Sequence, residues 1–279
     1  MANIKKRVLL IANDFGGGFN LFLFSKSKLK GFSKDYCFVG PSNKILNNKK
    51  NKSISSLNIQ NYSRIYYSLS WDKKIEKLIS KNKKNNNFTT YLVLDGWGDY
   101  RKKIFYKNKN FVPDNIISLD KFSFKLSNQQ NLHKKSKIKC YPNILFEKFK
   151  KIRSNKSKNT KILYLTSPLI KKKKVNMIQN YISKNFKGKL EIKHHPKISS
   201  NKKEGLLTKK FKKFNYIFGH YSTALIYASK MGIKTFSINH THFDIFKWKK
   251  YKVFSNFNIG IIKNKKINFA FKKIKNEYF

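Results

Sequence analysis

The sequence has few acidic residues and few arginines. It holds 13 Asp and Glu against 63 Lys and Arg, which gives a formal net charge of +50 over 279 residues. Only four cations are arginines: Arg7, Arg64, Arg101 and Arg153. Sequence-specific nucleic-acid readers rely on the forked guanidinium, so this scarcity argues against that function class. Ala occurs five times beside abundant Lys, Asn, Ile and Phe, a composition that AT-rich codon usage also produces. We therefore interpret the charge chiefly as a solvated lysine surface.

Cysteines and long apolar runs are also scarce. The two cysteines, Cys37 and Cys140, cannot build a disulfide framework, and no CxxC pair is present for zinc. No apolar run approaches the roughly 20 residues that span a bilayer. The first residues lack the cleavage site of a signal peptide, so we expect an intracellular protein. Hydrophobic residues make up 40% of the chain, which excludes disorder over its whole length.

Short apolar runs alternate with longer amphipathic stretches along the chain. Several runs, such as Arg7–Ala12 and Lys161–Thr166, are continuously apolar, as is typical of strands buried on both faces of a parallel sheet. This alternation predicts an α/β fold. The polar, basic segment Lys148–Thr160 separates two strand–helix series of similar length. We therefore predict two Rossmann-like domains, residues 1–150 and 151–279, each with a parallel sheet.

Two segments of the first half end a predicted strand with residues suited to chemistry. Gly16, Gly17 and Gly18 follow the first strand and precede a helix, so backbone N–H groups there could face a ligand. A plain tight turn is the alternative, because the spacing is not the dinucleotide fingerprint. Asp95 ends a buried strand, where open α/β sheets bind ligands, and could act as a general base. The alternative is that Asp95 only caps a turn.

The second half carries imidazoles and hydroxyls at its predicted strand ends. His194 and His195 precede Pro196, which keeps His195 extended, and His195 could bind a phosphate. Another strand ends at Gly219, and Ser222 and Thr223 then open a helix whose free N–H groups suit a phosphate. Packing for the histidines and simple helix capping for Ser222 are the alternatives.

A third group in the second half has the residue types of a metal site. His240, His242 and Asp244 alternate along the chain, but they fit no known metal motif. No acidic DxD pair is evident either. We therefore predict no metal and no cofactor.

The order of three short motifs carries a family resemblance. Asp95-Gly96, then His195-Pro196, then Ser222-Thr223 resembles glycosyltransferases of the GT-B architecture. The chain is most similar to the bacterial sialyltransferase and polysialyltransferase group and to related capsule and teichoic-acid transferases. Leu94 stands where that group often has a second carboxylate.

The resemblance implies two domains whose sheets face each other across a cleft that holds the donor. It implies that Asp95 is the base that deprotonates the acceptor hydroxyl. His195 would bind the donor phosphate or act as general acid, and Ser222 and Thr223 would hold that phosphate. We add Gly17, His194 and Gly219 to the donor-binding set, because each lies at or just after the end of a predicted strand.

The function that we predict is metal-independent, inverting transfer of a sugar to a saccharide hydroxyl in surface polysaccharide synthesis. The donor would be nucleotide-linked, with a CMP type favoured, and the acceptor a saccharide or lipid-linked saccharide. We expect a cytoplasmic enzyme whose lysines contact the anionic inner face of the membrane. We expect no specific nucleic-acid partner. Two alternatives stay open: a nucleotide-sugar epimerase of the same fold, and a non-catalytic binder of nucleic acid or another polyanion.

Overall fold

The structure, a computed structural model, describes residues 7–46, 51–69, 73–95, 99–105, 111–142, 144, 160–167, 170–194, 211–220, 223–239, 257–263 and 266–270. The chain divides into two compact units, residues 1–147 and residues 148–278. Each unit contains one six-stranded sheet with helices between its strands. The predicted α/β fold with two parallel-strand sheets is therefore confirmed.

The first sheet is parallel throughout and has the order β2-β1-β3-β4-β5-β6. Its strands are β1 (Arg7–Ala12), β2 (Ser33–Phe38), β3 (Arg64–Tyr67), β4 (Thr89–Val93), β5 (Asn115–Ser118) and β6 (Lys137–Cys140). The helices of this unit are α1 (Phe15–Lys28), α2 (Lys74–Lys83), α3 (Tyr100–Phe105) and α4 (Lys121–Gln129). Short 3₁₀ turns add Gly40–Ile45, Ile59–Asn61 and Leu132–Lys134.

The second sheet has the order β8-β7-β9-β10-β11-β12. Its strands are β7 (Lys161–Leu165), β8 (Lys189–Lys193), β9 (Tyr216–Gly219), β10 (Lys234–Asn239), β11 (Phe257–Lys263) and β12 (Lys266–Ala270). All neighbours are parallel except β11 and β12, which pair antiparallel. The helices are α5 (Lys172–Asn185) and α6 (Thr223–Lys230), and Phe211–Lys213 forms a 3₁₀ turn.

Apolar side chains explain why these strands lie in the centre of each unit. In the first sheet Leu9, Ile65 and Leu92 share one core with Ile75 and Ile79 of α2. In the second, Ile162, Tyr164 and Phe218 pack with Ile178 and Ile182 of α5. Strands that are buried on both faces carry few polar side chains, so polar chemistry is left to the strand ends.

The two sheets share one strand order, which predicts where each unit binds a ligand. In the first sheet, β1 lies between β2 and β3. In the second sheet, β7 likewise lies between β8 and β9. From β1 the chain adds β2 on one side of the sheet and then β3 and the later strands on the other side. The direction of strand addition therefore reverses between β1 and β3, and in the second sheet between β7 and β9. At such a switch point the crevice beyond the carboxyl ends of the strands is the usual ligand site.

Both cysteines lie in the first unit, and both are free thiols. Cys37 is buried in β2, and this burial raises its pKa to about 11. A thiol with such a pKa is a poor nucleophile at neutral pH. We therefore assign the cysteines no part in chemistry.

Candidate functional site

The switch point of the first unit is formed by the start of α1 and the residue after β3. Asp14 precedes α1 with an extended backbone, and Ser68 follows β3. A Cβ built on Gly17 would lie 2.5 Å from Ser68 Oγ and 2.6 Å from Ser68 Cβ. These contacts are too short for any side chain, so only glycine lets the first turn of α1 approach β3 this closely.

Ser68 is a buried polar residue with an unsatisfied hydroxyl. The residue is fully buried, and its Oγ has no hydrogen-bond partner among the residues that the structure describes. Buried hydroxyls normally have a partner, because an unpaired one loses its bonds to water without compensation. An unpaired hydroxyl at a topological switch point is a mark of a site that binds something polar.

Asp95 lies beside this point, just beyond the carboxyl end of β4. A Cβ built on Gly17 would lie 3.4 Å from Asp95 Oδ2, and a Cβ built on Gly16 would lie 4.0 Å from the same oxygen. The backbone before Asp95 is fixed from two sides. Leu94 N–H donates to the Ile117 carbonyl at 2.9 Å, and the buried Asn20 Nδ2 donates to the Leu94 carbonyl at 3.3 Å. The structure thus brings Gly17 and Asp95 together, two of the residues selected from sequence.

Burial makes Asp95 a better base than an exposed aspartate. Its side chain keeps some contact with solvent, yet the dense protein around it desolvates the carboxylate and raises its pKa. The positive charges of Lys103 and Lys73 oppose this rise, and the negative charge of Glu76 adds to it. A raised pKa strengthens the carboxylate as a proton acceptor, as general-base catalysis requires.

Lys73, one of the lysines whose charge acts on Asp95, is held in place by protein contacts. Lys73 is only 5% exposed and precedes α2 in the left-handed conformation, with φ at 57°. Its Nζ donates to Glu76 Oε1 at 3.2 Å and to the Lys103 carbonyl. A non-glycine residue in this conformation stores backbone strain, which persists only where the surroundings enforce it. Of the two lysines that act on Asp95, Lys73 is therefore the one whose charge is fixed by protein contacts.

The switch point of the second unit has imidazole and hydroxyl groups instead of a carboxylate. His220 follows β9 and is only 6% exposed. Its Nδ1 lies 2.9 Å from the Ile238 carbonyl, which can only accept, so Nδ1 carries a proton. Its Nε2 lies 2.9 Å from the Tyr164 hydroxyl. Both ring nitrogens of His220 are therefore engaged inside the unit.

Two of the predicted donor-binding residues lie around this second point. Gly219 is buried at the end of β9, and a Cβ there would lie 3.2 Å from Leu165 Cβ and 3.4 Å from Leu225 Cδ2. This glycine therefore permits close packing between β7, β9 and α6. His194 follows β8 and is exposed, and its Nδ1 lies 3.3 Å from Thr166 Oγ1. Thr166 follows β7, so His194 is held at the switch point.

Other residues selected from sequence fall outside the description. His195, Pro196 and Ser222 are not among the described residues, nor are His240, His242 and Asp244. Thr223 is the first residue of α6, as predicted for the helix start, and only its backbone is described. The phosphate roles of His195, Ser222 and Thr223 stay predictions.

Sequence reasoning missed Ser68, Asn20, Thr166 and His220. Ser68, Thr166 and His220 each follow a strand next to a switch point, so the strand-end rule that selected Asp95 could have found them. Asn20 had no such signal. It lies within α1, and its contact with the Leu94 carbonyl joins residues 74 positions apart.

Within the described ranges, no group of three or more His, Cys, Asp or Glu side chains is arranged to hold a metal ion. No helix in the described part of the chain is both long and apolar enough to cross a membrane.

Comparisons with known proteins identify the fold. No family model matches the sequence, and no curated protein matches it. Among solved structures, wall teichoic acid polymerase TagF soaked with CDPG matches with a TM-score of 0.51 and 10% identity, over 88% of this chain and 71% of that one. A putative UDP-N-acetylglucosamine 2-epimerase from Listeria monocytogenes matches with a TM-score of 0.56 and 12% identity, over 85% and 79%. At such low identity the likeness shows a GT-B-like fold.

Proposed function

We propose that this protein is a glycosyltransferase that moves a sugar from a nucleotide-linked donor to a saccharide hydroxyl in surface polysaccharide synthesis. The observation that carries the proposal is Asp95. It is a carboxylate of raised pKa at a strand end beside the switch point of a GT-B-like unit. The likeness to a wall teichoic acid polymerase supports the choice of a cell-surface polymer.

In the proposed reaction Asp95 takes the proton of the acceptor hydroxyl. The hydroxyl oxygen then attacks the anomeric carbon of the donor, and the bond from that carbon to the nucleotide phosphate breaks. Displacement in line inverts the configuration at this carbon. Because the ionised form of Asp95 is disfavoured by burial, accepting a proton relieves an unfavourable charge.

The second unit would bind the donor and neutralise the departing phosphate. We assign this role to His195, Ser222 and Thr223 on sequence grounds. His194, which lies 3.3 Å from Thr166 Oγ1 after the end of β8, immediately precedes His195 in the sequence. Hydroxyls and helix N-terminal N–H groups are donors that suit a phosphate, and stabilising developing charge is a large part of such catalysis.

A panel of nucleotide compounds tests the proposal. CMP-, CDP-, UDP- and GDP-linked compounds are each added to the full chain, and the thermal unfolding midpoint is measured. We expect one class, with cytidine compounds favoured, to raise the midpoint in proportion to the logarithm of its concentration. The compound that binds then serves as donor in a transfer assay with saccharide acceptors. No rise with any compound would contradict the proposal.

An epimerase is the second candidate, favoured by the likeness to a putative UDP-N-acetylglucosamine 2-epimerase. It predicts that a UDP-linked sugar raises the unfolding midpoint. It also predicts that an epimerised nucleotide sugar forms when no acceptor is present. Chromatography of the nucleotide sugar after incubation with the protein alone separates the two functions, because a transferase leaves the donor unchanged.

A further inference from the structure

A polar cavity lies in the first unit, at the end of the sheet opposite to Asp95. It has a volume of about 710 Å³ and is formed where β4, β5 and β6 begin. Thr89 and Tyr91 of β4 line it, and Asp95 follows the far end of the same strand. At about 3.3 Å per residue, Thr89 and Asp95 are roughly 20 Å apart.

The cavity is built on one face of the sheet in a regular row. Tyr91, Asn115 and Lys137 are direct neighbours across three parallel strands. Lys139 lies two positions further along β6 and lines the cavity too. Alternate residues of a strand point to opposite faces, so these four side chains share one face. Leu92, Ile116 and Ile138 occupy the intervening positions and belong to the core on the other face.

A polar face on a sheet of this kind calls for an explanation. Parallel sheets are normally covered on both faces, and their strands are then apolar throughout. Only where β4, β5 and β6 begin does this face carry Tyr91, Asn115, Lys137 and Lys139, because Val93 and Ile117, further along the same face, are buried. The side chains are arranged for contact with water or with a polar ligand.

The charge of the cavity is positive. Lys135, Lys137, Lys139 and His133 line it and are all exposed. Asp114 is the one acidic side chain in the described part of the lining. Lys83 and Thr90 bind the Asp114 carboxylate, and although burial raises its pKa, these bonds outweigh burial and leave the pKa below its ordinary value. The negative charge of Asp114 is therefore already matched by Lys83.

The spacing of the cations indicates the kind of anion. Lys137 and Lys139 repeat along one edge strand at intervals of roughly 7 Å. Repeated single charges suit an extended chain with repeated negative groups better than a compact nucleotide. The remaining lining groups, among them Thr89, Asn115 and Ser136, offer hydroxyl and amide partners for sugar hydroxyls.

The aromatic content of the cavity separates a saccharide from a nucleic acid. Among the lining residues that the structure describes, Tyr91 is the one aromatic ring, and one of its faces is stacked on Tyr66 with ring centroids 4.5 Å apart. Single-stranded nucleic acids need a succession of free aromatic faces for their bases. One half-covered ring is enough for a single sugar and too little for a strand of bases.

We propose that this cavity binds the anionic saccharide polymer that is the acceptor, with its far edge, at Thr89, roughly 20 Å from the end being extended. The inference rests on the proposed function, because it places the growing end of the polymer at Asp95. It predicts that long anionic acceptors are used better than short ones, since only a long chain reaches both places. It also gives part of the lysine surface a specific role.

Paired lysine variants test the site. Lys137→Gln with Lys139→Gln removes two charges from the cavity. Lys77→Gln with Lys81→Gln is the control, because these exposed lysines of α2 lie on the other side of the same sheet. The probes are polysialic acid, hyaluronan, neutral dextran of similar length and a single-stranded oligonucleotide. Binding is measured by fluorescence anisotropy at fixed salt, and thermal unfolding confirms that each variant is folded.

We expect at least one anionic saccharide polymer to bind and dextran not to bind. The cavity variant should weaken polymer binding about tenfold, and the control variant should change it by less than twofold. Equal weakening by both variants would overturn the site in favour of non-specific attraction. Tighter binding of the oligonucleotide, lost in the cavity variant, would assign the cavity to nucleic acid instead. No binding of either polymer would also overturn the proposal.

The test separates this site from the proposed reaction. If the polymer binds in the cavity but no nucleotide compound raises the unfolding midpoint, the transferase function fails and the site stands. If transfer occurs and the cavity variant extends long and short acceptors as well as the unaltered protein does, the site fails and the transferase stands.

Discussion

The two units have the same strand order and differ in the side chains at corresponding strand ends. Beside the switch point of the first unit lie Asp95, with a raised pKa, and Ser68, with an unpaired hydroxyl. At that of the second unit lie His220, bonded at both nitrogens, and His194, bonded to Thr166. The described strand ends thus carry a carboxylate and an unpaired hydroxyl in the first unit, and imidazoles bonded within the unit in the second. The comparison teaches that the strand order determines where chemistry takes place, while the residues at the strand ends determine which chemistry.

Removing the carboxylate of the first unit should have the largest effect. We expect Asp95→Asn to lower transfer by about 10²- to 10⁴-fold, because a general base is lost. Donor binding to the second unit should not change. The folded-state pKa of Asp95 is raised, so its ionised form costs stability above that pKa. The unfolding midpoint at pH 7 should therefore stay the same or rise.

A second aspartate of the same unit provides the control. Asp35 of β2 bonds to Arg7 at 2.6 Å and to the Tyr62 hydroxyl at 2.9 Å, far from any strand end that we place in the site. We expect Asp35→Asn to lower the unfolding midpoint and to leave the transfer rate unchanged. Normal transfer by Asp95→Asn would refute the division of roles between the units.

The close approach at the first switch point should give the next largest effect. Gly17→Ala places a Cβ 2.5 Å from Ser68 Oγ, so the backbone must move. We expect a loss of about 1–3 kcal/mol in the free energy of unfolding, measured by urea titration, together with slower transfer as Asp95 shifts. Gly16→Ala is the control for stability, because among the described atoms its Cβ would contact only Asp95 Oδ2, at 4.0 Å. Adding Ser68→Gly to Gly17→Ala should restore stability, and a failure to do so would contradict this explanation.

The corresponding glycine of the second unit should be less sensitive. A Cβ on Gly219 would lie 3.2 Å from Leu165 Cβ and 3.3 Å from the Leu165 carbonyl oxygen, which small shifts can relieve. We expect Gly219→Ala to cost about 1 kcal/mol, clearly less than Gly17→Ala. The two variants are compared by urea titration under one buffer. An equal or greater loss for Gly219→Ala would show that the second switch point is the more tightly packed.

Acid should reveal the smallest difference between the units. Burial raises the pKa of Asp35, but hydrogen bonds from Arg7 and Tyr62 outweigh it and leave the pKa lowered. Such a group contributes stability above its unfolded pKa of about 3.9, and this is lost as the pH falls through the folded value. The difference in unfolding free energy between Asp35→Asn and the unaltered chain should therefore shrink below about pH 4. A difference that is constant from pH 7 to 3 would contradict this. In the second unit, Glu191→Gln removes an exposed pair with Lys213 and should change little at any pH.

Continuous apolar runs made much of this fold predictable from sequence. β1 and β9 occupy the residues that their patterns indicate, Arg7–Ala12 and Tyr216–Gly219. The pattern failed for β6, whose residues Lys137–Cys140 alternate lysine with Ile138 and Cys140 and so resemble a surface loop. It failed for α4 as well, where serines and Asn128 conceal the helical period. Asp120 caps the start of that helix, because its side chain accepts a hydrogen bond from Ser123 N–H at 2.6 Å. This contact depends on Asp120 and Ser123 alone and leaves no periodic pattern in the sequence.

The candidate site was predictable only where a strand end identifies it. Asp95 was found in this way, and Gly17 was selected as a loop glycine. Its close contact with Ser68 depends on how α1 packs on β3, which joins residues about 50 positions apart. The raised pKa of Asp95 depends on burial and on Lys103, which the strand pattern does not specify. Packing across the sheet, rather than local sequence, determines these properties.

The chain order of the strands has a consequence for synthesis on the ribosome. Every strand of the first sheet lies between Arg7 and Cys140, and every strand of the second lies after Thr160. The first sheet can therefore form while the second is still being translated, a delay on the order of ten seconds. During that time the nascent first sheet exposes its last strand, β6, as a free edge. The charges of Lys137 and Lys139 on that edge disfavour pairing with other nascent chains, so the order of translation and the lysines together protect the newborn protein from aggregation.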